Sequence, residues 1–309
     1  MKAIQYKDYG GSAVIELVEV PVPSIENKND VLIQVKAAGV NPIDIKIRMG
    51  FMKAARPVEM PFTPGGEASG IIIAVGDGVS TFKVGDEVIA LTKTSGYSAY
   101  VTANENSVLL KPQELSFEEA ASVFVNIGTA QSVLFTAGKL EKGQKVLIQG
   151  GAGAVGGTMV QMAKAAGAYV IVTASGKGVE LAKSFGADEV INYKLQDVTS
   201  LARDIDLVAD AAGGETQQNL FQVLKPGGKL LSIVIPPSQA LAEQYKVSAA
   251  FVASNISSET LNHGIELLKA GKLKPMVSKV FALEEAAAAQ DFLTAGGVNG
   301  KVILKISED

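Results

Sequence analysis

Apolar residues follow two rhythms along this chain, and the change between them comes near residue 116. Before it the apolar runs are short. Val31-Leu32-Ile33-Gln34-Val35-Lys36-Ala37 alternates loosely, while Ile71-Ile72-Ile73-Ala74-Val75 and Glu87-Val88-Ile89-Ala90-Leu91 are β-branched or apolar runs. Pro21, Pro23, Pro61, Pro64, Gly65 and Gly66 supply the turns between them. Irregular strands with few helices predict a small β-barrel-like domain. Ser116-Phe117-Glu118-Glu119 then reads as a capping box, which predicts a helix starting there and crossing into a second domain. From Lys145 strands and helices alternate. Strands are predicted at 146–149, 169–173, 189–192, 205–209 and 229–235, with helices through 159–164, 179–185 and 217–224. A tail of strand (274–280), helix (283–293) and strand (300–306) is expected to return to the first domain. Such alternation is the pattern of a doubly wound parallel sheet.

Length and composition narrow the chemistry. At roughly 150 residues per domain, 309 residues suggest two domains. A net charge of −4 leaves no basic field for nucleic acid. With no cysteine and one histidine, disulfides, thiolate zinc sites, iron–sulfur clusters, cysteine nucleophiles and histidine-rich metal sites are excluded, and no metal site is expected. The uncharged stretch Ala120 to Gly138 approaches membrane-spanning length. Its Asn126, Gly128, Thr129, Gln131, Ser132 and Thr136 argue instead for a buried helix. No export signal is visible at the N-terminus, so a cytoplasmic protein without membrane partners is expected.

Gly150-Gly151-Ala152-Gly153-Ala154-Val155-Gly156 follows a strand and opens a helix. Gly151, Gly153 and Gly156 fit G-x-G-x-x-G: a tight turn, room for a pyrophosphate, and close helix–strand packing. The diphosphate would lie at the helix N-terminus, with Gly151, Gly153, Ala154, Val155 and Gly156 as the cofactor-binding loop. The competing reading is a glycine turn that serves packing alone. No P-loop follows any strand.

The second strand selects the nucleotide. An NAD site usually places an acidic residue about 20 residues on, for the ribose 2′-hydroxyl. Thr173-Ala174-Ser175-Gly176-Lys177-Gly178 holds no carboxylate. Ser175, Lys177 and, after the next strand, Tyr193 offer hydroxyls and a cation to a 2′-phosphate, so NADPH is favoured over NADH. The competing reading of Lys177 is a solvated helix-start residue. The turn Leu224-Lys225-Pro226-Gly227-Gly228 also suits methyltransferases, but these want the acidic residue that is missing.

Several segments together resemble the medium-chain dehydrogenase/reductase superfamily and, within it, the zinc-free quinone oxidoreductase group. They are Ala37-Ala38-Gly39-Val40-Asn41-Pro42-Ile43-Asp44, Pro64-Gly65-Gly66-Glu67-Ala68-Ser69-Gly70, Val84-Gly85-Asp86-Glu87-Val88, Gly96-Tyr97-Ser98-Ala99-Tyr100-Val101, Gly128-Thr129-Ala130, the glycine loop, Gly186 to Tyr193, and Gly300-Lys301-Val302-Ile303-Leu304. The resemblance runs through essentially the whole chain in order. It implies a GroES-like β-barrel domain at residues 1–120, completed by 272–309, and a Rossmann domain at 121–271. The active site would lie in the cleft between them, in a homodimer joined through the Rossmann domains.

The same resemblance implies site residues. Asn41 would stand beside the nicotinamide and substrate oxygen, although Asn41-Pro42-Ile43-Asp44 also reads as a helix start. Thr129 resembles the nicotinamide-side threonine, or is a small polar residue in a buried helix. These two are the catalytic candidates. Ala212 would lie beside the adenosine, Ser232 and Val234 along the nicotinamide ribose, and Phe251 and Val252 over the nicotinamide. Glu67 is carried over as structural, and His263 as a surface residue. Zinc-dependent relatives hold the metal with Cys and His; here Asn41 and Gly66 stand at those places.

No Tyr-x-x-x-Lys pair is present at any of the seven tyrosines. A site with neither that pair nor a metal lacks the means to stabilise an alkoxide. Quinones and α,β-unsaturated carbonyls are already electrophilic, so positioned hydride donation with one or two hydrogen bonds suffices. The expected activity is therefore NADPH-dependent, zinc-independent reduction of a quinone, enone or enal. The alternative is a non-catalytic NADPH-binding protein, crystallin-like or redox-sensing.

Overall fold

The computed structural model describes residues 1–92, 94–254, 256 and 258–306. The chain divides into two compact units, Met1–Phe124 with Pro275–Asp309, and Val125–Lys274. In chain order the strands are β1 (Lys2–Gln5), β2 (Glu16–Glu19), β3 (Asp30–Val40), β4 (Glu67–Val75), β5 (Glu87–Leu91), β6 (Tyr100–Asn104) and β7 (Val108–Leu110). They continue with β8 (Lys145–Gln149), β9 (Tyr169–Ala174), β10 (Glu189–Asn192), β11 (Ile205–Asp210), β12 (Leu224–Ser232) and β13 (Ser248–Phe251), then β14 (Val277–Ala282) and β15 (Lys301–Lys305).

The first unit is the barrel-like one. Its main sheet runs β14-β15-β3-β4-β5-β7, with β6 also on β3. Strand β3 has three partners, β4 along Val31–Ala38, β6 along Asp30–Gln34 and β15 along Ala37–Val40, and its register shifts twice against β4, between Leu32 and Ile33 and between Val35 and Ala37. Such irregularities bend a strand and let successive stretches face different neighbours. Ile33, Val35, Ile72, Val88, Tyr97, Val302 and Leu304 share the core it encloses. The tail belongs here: β15 lies antiparallel to β3, with Val302 opposite Val40. The parallel pair β14–β15 needs a crossover, and the helix Ala286–Thr294 provides it.

The second unit is a six-stranded parallel sheet in the order β10-β9-β8-β11-β12-β13. Counted within the unit, that is 3-2-1-4-5-6, the Rossmann order, whose topological switch point lies between β8 and β11. Ligands of such sheets bind beyond the carboxyl ends of the strands there.

Several expected elements move. The capping box at Ser116 opens only the single turn Phe117–Ala120, and the helix resumes at Phe124–Gln131 before a π-helical turn at Ser132–Ala137. This stretch, Phe117–Ala137, is long and apolar enough to cross a membrane, yet 72% of its apolar window is buried within the protein. The helix expected at 217–224 is a turn at Thr216–Asn219 and a 3-10 turn at Leu220–Val223. Strand β12 starts early, at Leu224 opposite Ile205, and ends at Ser232 rather than at residue 235. Its Lys225-Pro226-Gly227-Gly228 bulges out before pairing resumes at Lys229, which is how a strand accepts a proline. The tail helix is a 3-10 turn, Leu283–Glu285, followed by Ala286–Thr294. The hydrophobic pattern had not shown β13 or the helix Gln239–Tyr245.

Candidate nucleotide site and a buried polar cluster

Strand β8 ends at Gln149, and the glycine loop follows it. The tight turn falls on Gly150, whose φ is +79°, rather than on Gly151. Gly151 is required for space: a Cβ there would stand 2.3 Å from Val172 Cγ1. At Gly156 a Cβ would come within 2.1 Å of the Gly150 carbonyl, so this glycine lets the helix Ala154–Ala165 sit on the loop. Gly153 differs, because a Cβ there meets only Gly150 O at 3.4 Å. That glycine faces open space. It also N-caps the helix without a side chain, leaving the first-turn amides of Ala154, Val155 and Gly156 for an anion. The loop thus fits a dinucleotide pyrophosphate.

Beyond β9, Ser175 Oγ donates to Tyr193 Oη at 3.0 Å. Lys177, at the N-cap of the helix Gly178–Ser184, is exposed and in no ion pair among the described residues. Two hydroxyls and a cation therefore ring the end of β9, with no carboxylate from 174 to 178.

Across the switch point Asp210 organises the next loop. Its Oδ1 accepts from Ala212 N at 3.0 Å and Gly213 N at 2.7 Å, and its Oδ2 from Gln217 Nε2 and Ser232 Oγ, both at 2.8 Å. Ser232 accepts in turn from Val234 N at 3.2 Å. Its hydroxyl is committed to this network, so Ser232 acts on the loop through Asp210. Ala212 packs beside Gly150, where a Cβ would meet its own at 3.3 Å. Val252 N donates to Ser232 O at 2.8 Å, and Phe251 is exposed at the end of β13. Thr129, on the helix Phe124–Gln131, accepts from Ser254 Oγ at 2.9 Å. His263 is exposed, with Nδ1 3.2 Å from Gln131 Oε1 and its ring against Phe135.

Asn41 lies in the first unit, within a buried polar cluster. Its amide donates to Glu67 Oε1 at 3.0 Å and Gly39 O at 3.3 Å, while its Oδ1 accepts from Lys301 Nζ at 2.6 Å. Lys301, 3% exposed, also pairs with Glu67, 0% exposed. Both amide hydrogens of Asn41 are used inside the protein; Asn41 is the N-cap of the helix Pro42–Arg48, and the Asp44 carboxylate returns a bond to its backbone N–H. The Asp44 carboxylate accepts from Asn41 N at 2.9 Å and from Tyr97 Oη at 2.8 Å. Burial pushes the Asp44 carboxyl up to about 6, against the pull of those two donors and Lys301. Burial, then the Asp44 charge, raises the Tyr97 hydroxyl well above its usual value. Arg48 donates to Gln290 Oε1 and Gly10 O, each at 2.8 Å, and burial lowers its pKa.

The sequence reading missed Lys301, Tyr97, Gln290, Asp210 and Ser254 as members of these networks. A charged residue closing an apolar strand, as Asp210 closes β11, was the one visible signal. The sequence candidates thus fall into two groups. Asn41 sits in the first unit, while the loop glycines, Ala154, Val155, Ser175, Lys177, Tyr193, Ala212, Ser232, Val234, Phe251, Val252 and Thr129 belong to the second.

Comparison with known proteins places this geometry. Residues 27–179 match the alcohol dehydrogenase GroES-like domain, and residues 185–304 match the zinc-binding dehydrogenase family. Quinone oxidoreductase of Rattus norvegicus is 33% identical over 98% of this chain and 97% of its own length. The 2-methylene-furan-3-one reductase of Solanum lycopersicum is 35% identical over 98% of this chain and 79% of its own. The Escherichia coli quinone oxidoreductase, solved in complex with NADPH, superposes with a TM-score of 0.90 at 26% identity, covering 99% of this chain and 100% of that one.

Proposed function

Because the chain belongs to the quinone oxidoreductase group of the medium-chain dehydrogenase/reductase superfamily, we propose that it is an NADPH-dependent, zinc-independent reductase of quinones or α,β-unsaturated carbonyls. The observation that carries the cofactor choice is the end of β9, where Ser175, Tyr193 and Lys177 stand without a carboxylate. A 2′-phosphate placed there gains charge-assisted hydrogen bonds, each contributing about 1.5–3 kcal/mol. The loop Gly151 to Gly156 holds the pyrophosphate, and Thr129, Phe251 and Val252 line the nicotinamide end. When bound, the reduced nicotinamide supplies the hydride. The protein supplies position, exclusion of water and hydrogen-bond donors, which a conjugated acceptor needs and a simple alcohol would find insufficient. The donor set supports zinc independence: the chain has no cysteine and a single histidine, which is exposed.

The test is oxidation of NADPH, and separately of NADH, against a panel of quinones, enones and enals. Turnover with NADPH is expected. Tight NADPH binding with no turnover on any acceptor would favour the non-catalytic reading. Lys177→Ala should weaken NADPH about ten-fold or more while leaving NADH unchanged; equal losses for both would remove the phosphate assignment.

A further inference from the structure

The segment leaving β13 lies against the helix Phe124–Gln131. Contact is close: a Cβ at Gly128 would come within 2.7 Å of Ile256 Cγ2. Next to it, Ser254 Oγ meets Thr129 Oγ1 at 2.9 Å, joining residues 125 positions apart. Helical hydroxyls ordinarily bond the carbonyl four residues back. Two others in this unit do so: Ser132 donates to Gly128 O at 2.8 Å and Thr158 to Ala154 O at 2.9 Å. Thr129 departs from that habit. Its oxygen accepts from Ser254, and among the described residues its own hydrogen meets no acceptor. Thr129 is 4% exposed, so that hydrogen is also shielded from bulk water. A buried donor left unmet is unfavourable, and a bound acceptor atom would relieve it. Ser254 stands three residues past the end of β13, on the side of the sheet where ligands bind.

We propose that Ser254 is a positioning residue: it occupies one lone pair of Thr129 and so holds the Thr129 hydroxyl as a donor to a bound carbonyl oxygen. A hydroxyl has one hydrogen and two lone pairs. Without Ser254, Thr129 is free to turn back onto its own helix, and the donor is lost to the ligand. The inference rests on the reductase reading above. Its carbonyl belongs either to the nicotinamide carboxamide or to the acceptor, and the two sources are separable.

The experiment is a double-mutant cycle of Ser254→Ala and Thr129→Val, with Ser254→Thr as the conservative rescue. It is read by calorimetric titration of NADPH without acceptor and by KM and kcat for the best acceptor. Ser254→Ala should weaken one of these by about 3- to 10-fold, and Ser254→Thr should restore it. In the Thr129→Val background Ser254→Ala should add nothing, because its effect passes through the missing hydroxyl. A loss in NADPH affinity assigns the carboxamide; unchanged NADPH affinity with altered acceptor kinetics assigns the substrate carbonyl. Additive losses, or a Ser254→Ala protein that differs only in Tm, would overturn the proposal while leaving the reductase reading intact. A wild-type protein that does not bind NADPH would end both. Should Thr129→Val fail to fold, Thr129→Ser serves: it keeps the hydroxyl and should keep the full dependence on Ser254, and loss of that dependence overturns the proposal.

Discussion

Asp44 offers a test that needs no ligand. Its folded carboxyl sits at about 6, above the ordinary 3.8, because burial outweighs the donors around it. The folded state therefore holds the proton more tightly than the unfolded chain. The stability this group contributes is full below pH 3.8 and is lost as pH rises through about 6, amounting to about 3 kcal/mol. Asp44→Asn keeps an acceptor for Asn41 N–H and the Tyr97 hydroxyl but cannot titrate. Urea unfolding from pH 4 to 6 should show a flatter stability profile for this variant than for the wild type; parallel profiles would assign the titration to another group. At this scale the sequence revealed residue types and not partners. Asn41 looked like a ligand contact or a cap because both roles suit an asparagine before Pro42. It does cap the helix Pro42–Arg48, but Glu67 and Lys301, which also hold its side chain, lie 26 and 260 residues away, beyond the reach of any local pattern.

Among elements, the glycine loop allows the sharpest contrast. Replacing a helical glycine with alanine normally stabilises by up to about 1 kcal/mol. At Gly156 the sign should reverse, because the new Cβ would be 2.1 Å from a backbone oxygen that has to move. Gly156→Ala should lower Tm by roughly 5 °C, as expected for about 1–3 kcal/mol of overpacking, and reduce NADPH affinity more than ten-fold. Gly153→Ala meets one atom at 3.4 Å and should leave Tm unchanged while still weakening NADPH. Calorimetry of the two variants checks both: equal Tm losses would mean that the space at Gly153 is not open, and unchanged NADPH affinity in Gly153→Ala would mean that it is not a ligand path. The loop itself was legible because strand, glycine spacing and helix are consecutive in the chain. Boundaries were less so. Strand β12 extends back through Pro226 because a bulge absorbs the turn, and only its partner β11 makes that pairing worthwhile.

At the scale of the whole molecule, the C-terminal tail completes the first unit through β15 and through Lys301. That ammonium meets Glu67 and Asn41, with Asp44 close enough to feel its charge. Lys301→Met would remove the buried ammonium that pairs with Glu67, and breaking a buried pair typically costs about 3–5 kcal/mol. Chemical unfolding should show that loss, and Lys301→Met with Glu67→Gln should recover much of it; no recovery would mean that packing rather than charge sets the penalty. Two units, the parallel sheet, the glycine loop and the lack of cysteine could all be read from the sequence, because each depends on composition or on neighbours a few positions apart. Which buried charge meets which, where Asn41 spends its amide, and that Ser254 reaches Thr129 were decided only when distant strands and helices packed. Hydrogen bonds between such side chains depend on ångström-scale separations, and a linear pattern carries none.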